Sequence, residues 1–154
     1  MRKTIISKRK FTNSTGIGVV ELLLTIALTG ILSVATLPLG IKFIQKNQLK
    51  NTRDTLISYL NTSKSFAMNG KNDNDWGVNV TGTKITLFNG PNFVGRNTPL
   101  DQEYEITGDI IITPTEIVFT KESGDTAGGT VDIYCVGGVS YKITVDTQGN
   151  VTFN

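Results

Sequence analysis

Glu21 is the residue whose type and place first suggest chemistry. It is followed by 20 residues, 22–41, that carry no charge. A carboxylate at the mouth of an apolar helix is costly unless it is paired or neutral, so Glu21 marks a functional position. Two residues interrupt the apolar run. Pro38 removes a backbone donor and crowds the carbonyl four residues before it, and Gly30 is a second weak point, so a helix can loosen at both. The remaining composition excludes most catalytic machinery. There is no histidine and one cysteine, Cys135. The chain therefore lacks Ser-His-Asp and Cys-His arrangements, histidine-ligated zinc, a cysteine metal cluster and an intrachain disulfide. No glycine-rich phosphate loop of the Walker or dinucleotide type occurs. No catalytic residue, metal or cofactor is expected.

The elements that must position Glu21 follow from charge and periodicity. Length 154 fits one ordinary domain, and the net charge of +2 is unevenly spread. Residues 1–16 hold five bases (Arg2, Lys3, Lys8, Arg9, Lys10) and no acid, whereas the rest carries ten bases and thirteen acids. A basic head on a mildly acidic body marks residues 1–16 as a leader with a separate job. The uncharged run would span about 30 Å as a helix, the thickness of a bilayer core. Residues 17–41 are accordingly expected to cross a membrane, with the basic leader inside and the body outside.

Residues 42–70 become amphipathic: Leu49, Leu56, Leu60 and Ala67 recur at spacings of four or seven, with Ile57 beside them. Lys46, Lys50, Arg53, Asp54 and Lys64 take the other faces. The pattern predicts one helix from about Ile17 to Asn69, roughly 80 Å long, ending at Gly70 as a C-cap. From residue 71 to 154 the texture turns to β-branched residues punctuated by turns. Strands are expected at Trp76–Val80, Lys84–Phe88, Tyr104–Ile106, Asp109–Thr113, Glu116–Thr120, Thr130–Val136, Val139–Val145 and Val151–Phe153. Hairpin connections are expected at 80–84, 136–139 and 146–150, with a loop over 89–101. The expected fold class is α+β: a long N-terminal helix, membrane-spanning in its first half, packed on an antiparallel sheet.

The leader, Gly16, Glu21, Gly30 and Pro38 together resemble the type IV pilin and type II secretion pseudopilin family. That signature is a short basic leader, a glycine, a hydrophobic residue, Glu at the fifth mature position and Pro at the twenty-second. A cut after Gly16 makes Ile17 the first mature residue and places Glu21 and Pro38 at those positions. Gly30 then falls fourteenth, where the family often has glycine. The resemblance implies a pilin-like fold and cleavage between Gly16 and Ile17 by a prepilin peptidase, which also N-methylates Ile17. It implies that Glu21 pairs with a subunit's new amine on assembly. The partners it implies are other pilin or pseudopilin subunits, the prepilin peptidase, an inner-membrane assembly platform and, before assembly, membrane lipid. The implied place is the inner membrane, single-pass, and then a pilus or pseudopilus. Leu56–Lys71, Ile117–Gly124 and Ile143–Asn150 further resemble segments of the H-type, FimT-like minor pseudopilins.

Weaker signals have ordinary readings. Asn72-Asp-Asn-Asp-Trp-Gly77 alternates oxygen ligands as a calcium loop does, without the distal bidentate Glu, and suits a turn. Cys135 shares a strand face with Val131 and Ile133, as a core thiol would. Trp76 is expected where helix meets sheet. Asn-x-Thr/Ser matches such as those at Asn61, Asn79 and Asn150 fit chance in an Asn- and Thr-rich chain. No basic stripe with interleaved aromatics appears, so direct nucleic-acid binding is not expected. Two other readings stay open: a secreted binding protein with a signal peptide cut after Ala35, and an uncleaved single-pass anchor carrying a receptor-like domain. Mass spectrometry of the mature N-terminus separates them. N-methyl-Ile17 is the filament outcome, Thr36 the secreted one, and an intact Met1 the anchor.

Overall fold

The computed structural model describes residues 18–135 and 138–154, with the side chains of 34–41 excepted. The chain forms two compact units, residues 1–39 and 40–154. Helical backbone, α1, is assigned over Val19–Met68. It contributes a described stretch at 19–33 to the first unit and one at 42–68 to the second.

In the second unit, helix 42–68 buries Leu49, Thr52, Leu56, Leu60, Ser63 and Ala67, the three- and four-residue spacing of one helical face. The helix stops because Gly70 adopts φ +60°, and its N–H bonds back to the Ala67 carbonyl at 2.9 Å. A single 3-10 turn, Lys71–Asp73, leads into the strands.

Eight strands follow: β1 Trp76–Val80, β2 Lys84–Asn89, β3 Gln102–Glu105, β4 Ile110–Ile112, β5 Thr115–Phe119, β6 Gly129–Cys135, β7 Ser140–Val145 and β8 Val151–Phe153. They form two antiparallel sheets, β3-β2-β1-β5 and β4-β6-β7-β8. Alternate residues of both point inward to one core: Trp76, Val78 and Val80, Ile85 and Leu87, Ile117 and Phe119, Val131, Ile133 and Cys135, Ile143 and Val145. The first sheet is covered on its other face too. Phe88 is fully buried there, edge-on to Phe93 at 5.6 Å in the 89–101 connection.

Three sequence expectations are corrected. The expected single sheet is two. Pro114, which has no N–H, separates β4 from β5, so these neighbours in sequence do not pair as a hairpin and join different sheets. The membrane-spanning first half that the expected pilin-like fold class gives its long N-terminal helix also fails. No helix of the described residues is long and apolar enough to cross a membrane. The expected single-pass localisation falls with it.

Gly77 sits directly opposite Phe88. A Cβ there would lie 2.8 Å from Phe88 Cε1 and 3.0 Å from the Ile117 carbonyl oxygen. Gly77→Ala is therefore expected to cost about 1–3 kcal/mol by overpacking, read as a lower urea midpoint with an unchanged slope.

Candidate functional site

The residues singled out by spacing lie at the start of α1. Glu21 is in the first turn, where a carboxylate is favoured by the positive end of the helix. Its N–H bonds to the Gly18 carbonyl at 2.9 Å. Its side chain is exposed, and its carboxylate has no hydrogen-bond or ion-pair partner among the described residues. Gly16 and Ile17 lie outside the described residues, and the Pro38 side chain lies among 34–41, also undescribed. Glu21 and Gly30 are thus the two predicted site residues that the structure describes fully. A Cβ on Gly30 would meet nothing within 4 Å, so packing within the described chain does not require glycine there.

Most of the described side chains around Glu21 are apolar. Val19, Val20, Leu22, Leu23, Leu24, Ile26, Leu28, Ile31 and Leu32 are all 52–77% exposed. The polar side chains of the stretch point no donor outward. Thr25 Oγ1 donates to the Leu22 carbonyl, Thr29 Oγ1 to that of Thr25, and Ser33 Oγ to that of Thr29, at 2.7–2.8 Å. Hydroxyls that bond back to the helix's own carbonyls let it enter an apolar surrounding without unpaired donors.

The second unit ties its polar groups down. The Asn72–Gly77 segment is a lock between chain segments. Asp73 ion-pairs with Lys121, Asp75 Oδ1 accepts the Lys121 N–H at 2.7 Å, and Asn74 Oδ1 accepts the Asp75 N–H at 2.9 Å. Among the described residues no cluster of three or more metal-ligating side chains occurs. Trp76 stacks edge-on to Phe66 at 4.8 Å and donates to the Lys71 carbonyl at 2.8 Å, at the helix–sheet junction. Cys135 is a buried core thiol beside Val131 and Ile133. Asp146 caps the 146–150 turn, accepting from the Asn150 and Gln148 N–H groups. The Asn150 bonds hold its carboxyl below the usual range.

Sequence reasoning missed three ties. Arg53, only 15% exposed, lies between the rings of Tyr141 and Phe153, 4.5 and 5.2 Å from their centroids. Lys64 donates to the Gln148 carbonyl at 2.9 Å. Arg96 fixes the long connection by pairing with Asp101 at 2.7 Å and lying 3.8 Å over Phe93. No local pattern signals the first two, because their partners lie more than 80 residues away in the chain.

No protein-family model, curated protein or solved structure matches the chain.

The Asp73–Lys121 pair carries a pH signature. Its hydrogen bond and charge hold Asp73 below, and Lys121 above, their ordinary values. Its stabilisation is present in the intermediate range. It is lost on acidification through the depressed Asp73 value and on raising pH through the elevated Lys121 value. The melting-temperature gap between wild type and Asp73→Asn should therefore close at both extremes and shrink in high salt.

Proposed function

We propose that this chain is a minor subunit of a pilin- or pseudopilin-type filament, matured by prepilin-peptidase cleavage between Gly16 and Ile17. The observation that carries the reading is the exposed apolar helix 19–33 interrupted by one charge, Glu21, at the offset from Gly16 that the resemblance requires. A contiguous apolar surface of this kind needs a partner. Packing it among copies of itself would bury nine large aliphatic side chains, a gain of the order of 10 kcal/mol per subunit before ordering costs.

The same packing makes Glu21 decisive. An ionised carboxylate carried into an apolar bundle costs several kcal/mol unless a cation meets it. Cleavage after Gly16 creates one, the amine of Ile17. Glu21 of an arriving subunit would pair with a neighbour's amine, so the pair both offsets desolvation and sets the axial step. Gly30 and Pro38 would let the helix adjust as it packs. No reacting group of this chain is needed, because the bond cleavage belongs to the peptidase.

The test is Glu21→Val in the natural host. Cleavage at Gly16 should persist, while recovery of the subunit in sheared filaments should fall by roughly tenfold or more, the loss expected when one partner of a buried pair is removed. Normal recovery sinks the pairing role. Uncut chain from the wild type, with Met1 retained, rejects the proposed maturation.

A further inference from the structure

From residue 18 onward the chain holds ten cations, and seven are engaged within the fold. Arg53 pairs with Asp54, Lys84 with Glu103, Arg96 with Asp101, Lys121 with Asp73, and Lys142 approaches Asp132. Lys64 bonds to the Gln148 carbonyl, and Lys71 lies over the Phe66 ring. The remaining three, Lys42, Lys46 and Lys50, are exposed and have no such partner among the described residues. Spaced by four, they form a stripe along the start of helix 42–68.

Most carboxylates of the second unit are likewise engaged. Glu105, Asp109 and Asp125 are the exceptions, all exposed and without a hydrogen bond or ion pair to their carboxylates among the described residues. Glu105 adds only the smallest contribution among those acting on Lys84, which Glu103 already holds. Glu105 and Asp109 flank the β3–β4 turn, whereas Asp125 lies apart in the β5–β6 connection. That turn packs against the same part of the helix, since a Cβ on Gly108 would collide with Gln48 Oε1 and lie 3.1 Å from its Cδ. Lys46 and Lys50 are each two residues from Gln48, about 200° round the helix from it. Lys46 and Lys50 thus lie at the level of the acidic turn and on the other flank of the helix, whereas Lys42, about 120° from Gln48, lines a cavity with Lys46, Cys135 and Val139.

We infer that the lysine stripe of one subunit docks on the acidic β3–β4 turn of a second copy of this chain. Unlike patches on opposite sides of a protomer make a head-to-tail contact. Such a contact repeats without closing when the rotation does not return to the start, as a filament requires. Opposed charges at the rim steer encounter and penalise wrong registers. The inference rests on the filament reading above, and it specifies which faces of the folded unit meet.

The test uses a one-to-one mixture of unlabelled and 15N-labelled full chain at low salt. A zero-length carbodiimide joins lysine amines to carboxylates in direct contact. Mixed-isotope links should connect Lys42, Lys46 or Lys50 to Glu105 or Asp109, and should disappear in high salt. In a Lys46→Glu/Lys50→Glu chain the remaining Lys42 links should fall by roughly tenfold. Adding Glu105→Lys and Asp109→Lys should restore linking with the roles exchanged. Absence of these mixed links in the wild type, or failure of the exchanged chain to relink, overturns the contact. Links that form from a chain absent from sheared filaments reject the filament reading and leave the contact standing. Recovery in filaments without the links rejects the contact alone.

Discussion

One constraint governs the second unit: a single helical face has to serve two sheets at once. Leu49, Leu56, Leu60 and Ala67 are fully buried, in one core with inward side chains from both sheets. Neither sheet could keep its inner face dry without the helix. The same face includes Thr52 and Ser63, whose hydroxyl oxygens are buried without a partner among the described residues. Each such group costs about 1–3 kcal/mol.

Around that core, polar residues act as ties between segments far apart in sequence. The Asp73–Lys121 and Asp75–Lys121 contacts join the end of the helix to the strand β5 exit. Lys64 holds the 146–150 turn, and Arg53 is enclosed by two aromatic rings from β7 and β8. Charges spent in this way stabilise the fold and carry no message for a partner. The cations left over are consequently informative, and they all fall on one short length of helix.

Much of this was legible in the amino-acid order. The eight strands lie where β-branched runs and turn residues place them, to within two residues at the ends, because alternation is a local property. The buried helix face was readable from the spacing of Leu49, Leu56, Leu60 and Ala67 for the same reason. What local pattern does not encode is which strands become neighbours. The pairing of β1 with β5 and of β4 with β6 depends on the chain leaving one sheet at Pro114, and a run of eight strand signals fits one sheet as well as two. The membrane expectation rests on the uncharged 22–41 run and the basic residues before it, and no helix of the described residues is long and apolar enough to carry it. Among the site residues, Glu21 and Gly30 were found by spacing. Arg53 was assigned to an outer face because the rings that enclose it come from the last fourteen residues of the chain.

The sharing of one helical face by two sheets also dictates an order of events during synthesis. The face of Leu49, Leu56, Leu60 and Ala67 emerges first, β1 and β2 can cover part of it soon afterwards, and β6 and β7 arrive only after residue 129. At bacterial or eukaryotic elongation speeds of about 5–20 residues per second, this face waits several seconds for its second sheet. Lys64 waits longer still, since its carbonyl acceptor is 84 residues downstream. The nascent chain therefore passes through a stage with half a core and an open apolar side. Its yield in a cell is governed by what shelters that side during the interval, a factor that the finished fold conceals.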